Sequence, residues 1–168
     1  ASTGQVENIF TETDSAWVEL MDDLTWIRGG REFVWLSERD GWRHAYRVSR
    51  DNGDIRLITP GDFDVIRIAG IDDMNGWLYF TASPADPCQR FLFRTALSGE
   101  GQMERLTPAD SAGVHTYNIS PDAQWAFHTR SSAGDPPRTD LIGLPSHQIH
   151  RHMVTNSALR SRLNGIKK

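Results

Sequence analysis

The chain has 168 residues, 38% of them hydrophobic and 24% charged, which is the make-up of a globular protein rather than a disordered one. Its 18 basic against 22 acidic residues give a formal charge of −4, with no basic stripe to neutralise phosphates, which argues against a nucleic-acid partner. No run of 18 apolar residues is present to span a membrane, and the lone Cys88 excludes an internal disulfide.

In chain order, the opening run 5–11 (QVENIFT) reads as a strand, the outer strand of a preceding repeat unit. After a connection holding Trp17, Met21 and Asp22 come four alternating runs, 24–28, 32–39, 43–50 and 55–59, separated by Gly29-Gly30, Asp40-Gly41 and Asn52-Gly53. Short runs rich in Val, Ile, Trp and Tyr, broken by such dipeptides, predict strands linked by hairpins. The plan recurs at 65–71, 77–83, 90–97 and 103–107, and again at 114–120, 124–131, 139–144 and 150–155. A short helix is expected over 157–164, N-capped by Asn156, with Leu159 and Leu163 on one face and Gly165 ending it.

Thr11, Thr59, Thr107 and Thr155 mark the period: each follows an apolar residue, and 59 − 11 = 107 − 59 = 155 − 107 = 48. Asp14, Asp62 and Asp110 follow the first three, whereas Ala158 follows the last. Four strands per period of this length is the signature of a β-propeller blade. The fold class is therefore all-β: a partial β-propeller of about three four-stranded antiparallel blades (18–59, 65–107 and 114–155), one leading strand and the C-terminal helix. Closed propellers typically have four to eight blades. A single partial propeller domain over 1–168, self-associating through its exposed blade faces, is therefore expected.

Trp26, Trp35, Trp77 and Trp125 fall in predicted strands, where large rings are expected to fill the wedge between blades. Trp17 and Trp42 lie in connections, the usual place for binding residues. His147, His150 and His152 are the densest histidine cluster, but the spacing matches no zinc pattern and no metal or cofactor site is read. There is no G-x-S-x-G elbow, and the pairs Asp22-Asp23 and Asp72-Asp73 read as turn residues. Glu38, Arg39 and Arg43 are placed to pair across the Asp40-Gly41 hairpin.

The string Ser37-Glu38-Arg39-Asp40-Gly41-Trp42-Arg43-His44-Ala45-Tyr46 resembles a signature in the propeller of the dipeptidyl peptidase IV family of prolyl oligopeptidase-like serine peptidases. Further resemblances follow in order: Trp17-Val18, 57–65 (LITPGDFDV), 79–84 (YFTASP), 90–94 (RFLFR), Gly113-Val114-His115 and 156–159 (NSAL). The resemblance implies an eight-bladed propeller capping an α/β-hydrolase domain, in an enzyme that releases N-terminal dipeptides, preferably after proline. It implies that this chain is the last three blades, with the catalytic Ser, Asp and His downstream and the amine-binding glutamate pair in an earlier blade. The chain alone is thus not expected to hydrolyse peptides.

Mammalian members place an aromatic residue and then an arginine facing the substrate after the tryptophan matched by Trp17. Here the corresponding positions are Met21 and Asp22, and an acid cannot replace the donors of arginine. Trp17, Met21 and Asp22 are the substrate-facing candidates. The lone cysteine, where mammalian members have several, points to a bacterial protein in a periplasmic or secreted setting. The expected partners are a peptide substrate and the hydrolase domain of the parent, with no nucleic acid and no membrane span. The alternative is an independent protein-interaction propeller of the WD-repeat or TolB-like kind.

Overall fold

A computed structural model of the chain describes residues 4, 6–19 and 24–166. Twelve strands and one α-helix occur among them: β1 (Thr25–Ile27), β2 (Glu32–Ser37), β3 (His44–Ser49), β4 (Ile55–Leu57), β5 (Val65–Asp72), β6 (Trp77–Ala82), β7 (Phe91–Ala96), β8 (Glu104–Arg105), β9 (Val114–Ile119), β10 (Trp125–Ser132), β11 (Asp135–Gly143), β12 (Gln148–Val154) and α1 (Ser157–Ile166). They form three four-stranded sheets in the orders β1-β2-β3-β4, β5-β6-β7-β8 and β9-β10-β11-β12, every neighbouring pair antiparallel. This is a partial β-propeller, and the sheets are called blades 1 to 3.

Strand pleating sends alternate residues to opposite faces, and the blades stack through those faces. Val34 and Leu36 of blade 1 pack with Leu78, Phe80 and Ala82 of blade 2 in one apolar core. Tyr79 and Leu92 of blade 2 pack with Tyr117, Ala126 and Ile142 of blade 3 in a second. Backbone bonds stitch the blades as well: the Val65 amide donates to Arg43 O at 2.7 Å, and Arg90 and Val114 form a parallel bridge. Gly113 makes the second join possible. Its φ is +127°, and a Cβ there would stand 2.6 Å from Ser131 O.

The repeating threonine has a structural reason. Thr59 Oγ1 accepts the Ala45 amide at 2.9 Å and Thr107 Oγ1 accepts the Leu92 amide at 2.8 Å, so each buried hydroxyl ties the end of its blade back to the third strand. Thr155 is exposed, and Thr11 Oγ1 accepts from the nearby Asn8 Nδ2.

Several expectations are corrected. Residues 6–11 belong to no sheet: a strand needs a hydrogen-bonded partner strand, and among the described residues none pairs with them. Side chains hold the segment instead, with the Phe10 ring edge-on to Phe33 at 6.2 Å and to Trp35 at 5.9 Å. Of the four tryptophans only Trp77 packs against an inter-blade core, that of blades 2 and 3, and the wedge between blades 1 and 2 is filled by Phe63, Phe80 and Phe93, stacked at 6.1 and 5.8 Å. Trp26 and Trp125 are 47% and 40% exposed, Trp35 is covered by the leading segment, and Trp77 lies half-buried under Arg94. β11 begins at Asp135, ahead of the expected start, because a register shift after Arg130 lets the amide-less Pro136 and Pro137 pass. Helix α1 continues through Gly165. Asn156 sits at φ +48° and donates its side-chain amide to Pro137 O, so its side chain ties the helix start to β11. Arg160 pairs with Asp135 at 2.9 Å and fixes the helix to the same strand.

Candidate functional site

Trp17 is placed by a local device that follows from the sequence Asp14-Ser15-Ala16-Trp17. The Asp14 carboxylate accepts the amides of Ala16 at 2.7 Å and Trp17 at 3.1 Å, an Asx turn. These two bonds hold its carboxyl below the usual carboxylate range. The indole is left 76% exposed, its Nε1 donating to Glu19 Oε2 at 3.3 Å.

A cleft opens between this segment and the β2–β3 loop, lined by Glu12, Asp14, Trp17, Glu19, Glu38 and Arg39 among others. Glu12 organises it. One carboxylate takes Trp35 Nε1 at 3.0 Å and both its oxygens take Arg39 Nη2 at 3.1 and 3.2 Å. The Arg39 guanidinium lies over the Phe10 ring at 5.1 Å and the Tyr46 ring at 5.2 Å, and its Nε donates to Ser37 Oγ. With Arg39 neutralised by Glu12, the carboxylates of Asp14, Glu19 and Glu38 stand in excess beside an open indole. Such a surface favours a cationic or amine-bearing ligand with an apolar flank.

The expected pairing of Glu38, Arg39 and Arg43 across the hairpin is not what forms. Arg39 reaches back to Glu12, while Arg43 donates forward to Val65 O at 2.8 Å and Ile66 O at 3.1 Å, and its amide bonds Asp64 Oδ1 at 2.8 Å. His44 is buried edge-on against Phe63, with Nδ1 3.4 Å from Thr59 Oγ1. The most recognisable string of the sequence is thus a fastening between blades. Asp72 is a turn residue accepting from Asn75, and Asp73 accepts the Arg28 amide at 2.6 Å from across the blade junction. Met21 and Asp22 lie outside the described residues.

The histidine triple is separated three ways. His147 is buried against Tyr117, His150 lies edge-on to Trp125 at 4.6 Å, and His152 Nδ1 bonds the buried Asp140 at 2.6 Å. No group of three His, Cys, Asp or Glu residues arranged to hold a metal ion occurs among the described residues. The cluster that does form was missed by spacing alone: His115, His128 and His147 converge around Tyr117, with His115 Nδ1 2.8 Å from His128 Nε2. Its signal was the alternation of His115 and Tyr117 on one strand face, with His128 opposite.

Residues 1–137 match the family model described as "Dipeptidyl peptidase IV (DPP IV) N-terminal region". A "Probable dipeptidyl-aminopeptidase B" of Coccidioides posadasii is 25% identical over 148 residues, 83% of this chain and 16% of that protein. A "Probable dipeptidyl peptidase 4" of Emericella nidulans is 26% identical over 133 residues, 78% of this chain and 17% of that protein. The crystal structure of Porphyromonas gingivalis dipeptidyl peptidase 4 superimposes with a TM-score of 0.73 at 27% identity, over 83% of this chain and 19% of that one. A crystal structure from Bacteroides ovatus shares the fold, with a TM-score of 0.69 at 16% identity. The chain therefore spans roughly a sixth of the length of the curated relatives it matches. With the family model matching residues 1–137 and the fold superimposing on that of a solved relative, the chain belongs to the dipeptidyl peptidase IV N-terminal region family.

Proposed function

We propose that this chain is the non-catalytic propeller portion of a dipeptidyl peptidase IV-like serine peptidase, one that restricts entry to the substrate chamber and lines it. The observation that carries the reading is the cleft beside Trp17, where an indole left open to solvent stands among surplus carboxylates. A peptide presenting its N-terminal ammonium and a small apolar side chain suits that surface: the carboxylates draw the charge and the indole supplies a flat apolar wall. Trp17, with Met21 and Asp22 just after it, is the substrate-facing group. Hydrolysis belongs to the α/β-hydrolase domain of the parent, and this chain alone releases no dipeptide. The lone exposed Cys88 fits a periplasmic or secreted bacterial protein.

The test uses the full-length parent and a chromogenic Xaa-Pro substrate. Release by the parent, with KM raised in Trp17→Ala and kcat little changed, supports a substrate-facing role. No release by the intact parent sinks the peptidase reading. The family match favours this reading over an independent interaction propeller.

As a separate chain it self-associates through the outer face of blade 3. Strand register puts Val34, Tyr79 and Phe127 at the same position of successive blades. The first two are fully buried by the blade that follows, whereas Phe127 is 47% exposed beside Trp125.

A further inference from the structure

The two blade junctions are built from different chemistry. Trp35, Phe80 and His128 occupy one position of three successive blades, opposite Tyr46, Phe93 and Asp140 on the neighbouring strand. At the junction of blades 1 and 2 this position holds Phe80, stacked between Phe63 and Phe93. At the junction of blades 2 and 3 it holds His128, buried and packed against the rings of His115, Tyr117 and His147 at 5.0, 4.6 and 4.8 Å.

Hydrogen bonding fixes where the protons are. His115 Nε2 faces Ser111 O at 3.1 Å, and a carbonyl only accepts, so His115 carries its proton there and its Nδ1 is an acceptor. His128 Nε2, 2.8 Å from that Nδ1, must then be the donor. The second nitrogen of His128 is left as a bare lone pair, and that Nδ1 is buried with no hydrogen-bond partner among the described residues. A second hydrogen-bonded set packs against these rings: the Tyr117 hydroxyl lies 2.9 Å from His147 Nε2 and 2.8 Å from Thr107 Oγ1, and Thr107 takes the Leu92 amide. It therefore crosses from blade 3 to blade 2.

The surroundings offer a proton on His128 nothing to pair with. Arg105 faces the cluster from the end of blade 2, Arg130 from β10, and Arg138 and Asp140 from β11. Asp140 is the lone acid among them, and it is engaged by His152 at 2.6 Å and Arg138 at 3.4 Å. Burial pushes His115 down to about 4 and His128 down to about 3, with the nearby cations acting in the same direction, and burial lowers His147 too.

We propose that the junction of blades 2 and 3 is an acid-opened seam: a proton taken up at the bare Nδ1 of His128 separates blade 3 from blade 2, while the phenylalanine junction of blades 1 and 2 stays closed. The direction follows from linkage. The histidines bind protons more weakly in the closed seam than in the opened one, where they titrate near 6.5, so closure is fully favoured above that pH. It is lost as pH falls from there toward the depressed values of the closed state.

Hydrogen–deuterium exchange of the whole chain at about pH 7.5 and about pH 5, corrected for intrinsic rates, tests this. Between those conditions protection in β9 and β10 is expected to fall by about thirtyfold for each histidine that charges on opening, from the 1.5 units between 6.5 and 5. Protection in β2 and β3 is expected to hold. His128→Phe restores the ring found at this position in blade 2 and is expected to shrink the acid-induced fall by the roughly thirtyfold factor that His128 contributes. Parallel loss of protection in blades 1 and 3, or an undiminished fall in His128→Phe, overturns the proposal. Should that variant not fold, 15N imidazole spectra of the unaltered chain decide instead: charging of His128 in step with the loss of β9 and β10 protection supports the seam. Loss of protection while His128 remains neutral overturns it.

Discussion

Thr107 and Leu92 are joined by a side-chain-to-backbone hydrogen bond of 2.8 Å, and the same hydroxyl meets the Tyr117 phenol at 2.8 Å. One side chain thus closes blade 2 and fastens it to blade 3. Thr107→Val keeps the shape but leaves the Leu92 amide and the Tyr117 hydroxyl short of a partner in a buried place. The expected cost is about 1–3 kcal/mol, read as a lower urea midpoint at unchanged slope. Thr155→Val, at the exposed rung of the same series, is expected to stay within about 0.5 kcal/mol.

Phe80 is fully buried between Phe63 and Phe93, at the centre of the junction of blades 1 and 2. Phe80→Ala removes stacking on both sides and leaves a cavity that the sheets are too rigid to close. A loss of about 3–5 kcal/mol is expected in equilibrium denaturation. Trp26→Ala, at a ring that is half exposed, is expected to cost clearly less.

Asp140 is buried beneath His152 and Arg138. Asp140→Ala strips the carboxylate from a partly buried arginine and is expected to cost about 3 kcal/mol. Arg138→Met in the same background is expected to recover part of that loss, because it removes the stranded charge. A double-mutant cycle on thermal unfolding reads the coupling directly.

Phe127 stands where blades 1 and 2 carry the buried Val34 and Tyr79. Phe127→Lys is expected to shift the separate chain toward monomer in sedimentation velocity while costing less stability than a substitution at the buried Val34 or Tyr79, since its ring is only half covered within one copy. An unaltered chain that is monomeric at high concentration would contradict the association.

Trp17 rests on a turn made by Asp14 and contributes little buried area. Trp17→Ala is expected to leave the unfolding midpoint of this chain almost unmoved. Asp14→Ala, which frees two backbone amides, is expected to increase proteolytic nicking between residues 14 and 19.

Strand existence and order were legible in the sequence because both depend on local rules: alternation decides a strand, and dipeptides such as Asp40-Gly41 decide a turn. The 48-residue recurrence of threonine was legible for the same reason, since blades 1 and 2 use the same tie between last and third strands. Which face of a strand meets another blade is not a local property. Periodicity treats Trp35, Phe80 and His128 alike, yet one lies under the leading segment, one in a phenylalanine stack and one in a histidine network.

The candidate site divides in the same way. Trp17 stood out because it is a large ring in a connection, but Glu12 and Arg39, which shape the cleft around it, are 27 residues apart and carry no sequence pattern. The triple of His147, His150 and His152 was a pattern without a site, because β12 and the turn before it send the three rings to different neighbours. By itself the sequence determined the repeat, its strands and its family, all set by interactions within a blade. Only the tertiary structure decided which residues meet between blades, because contacts between faces depend on how neighbouring sheets are stacked and not on spacing along the chain.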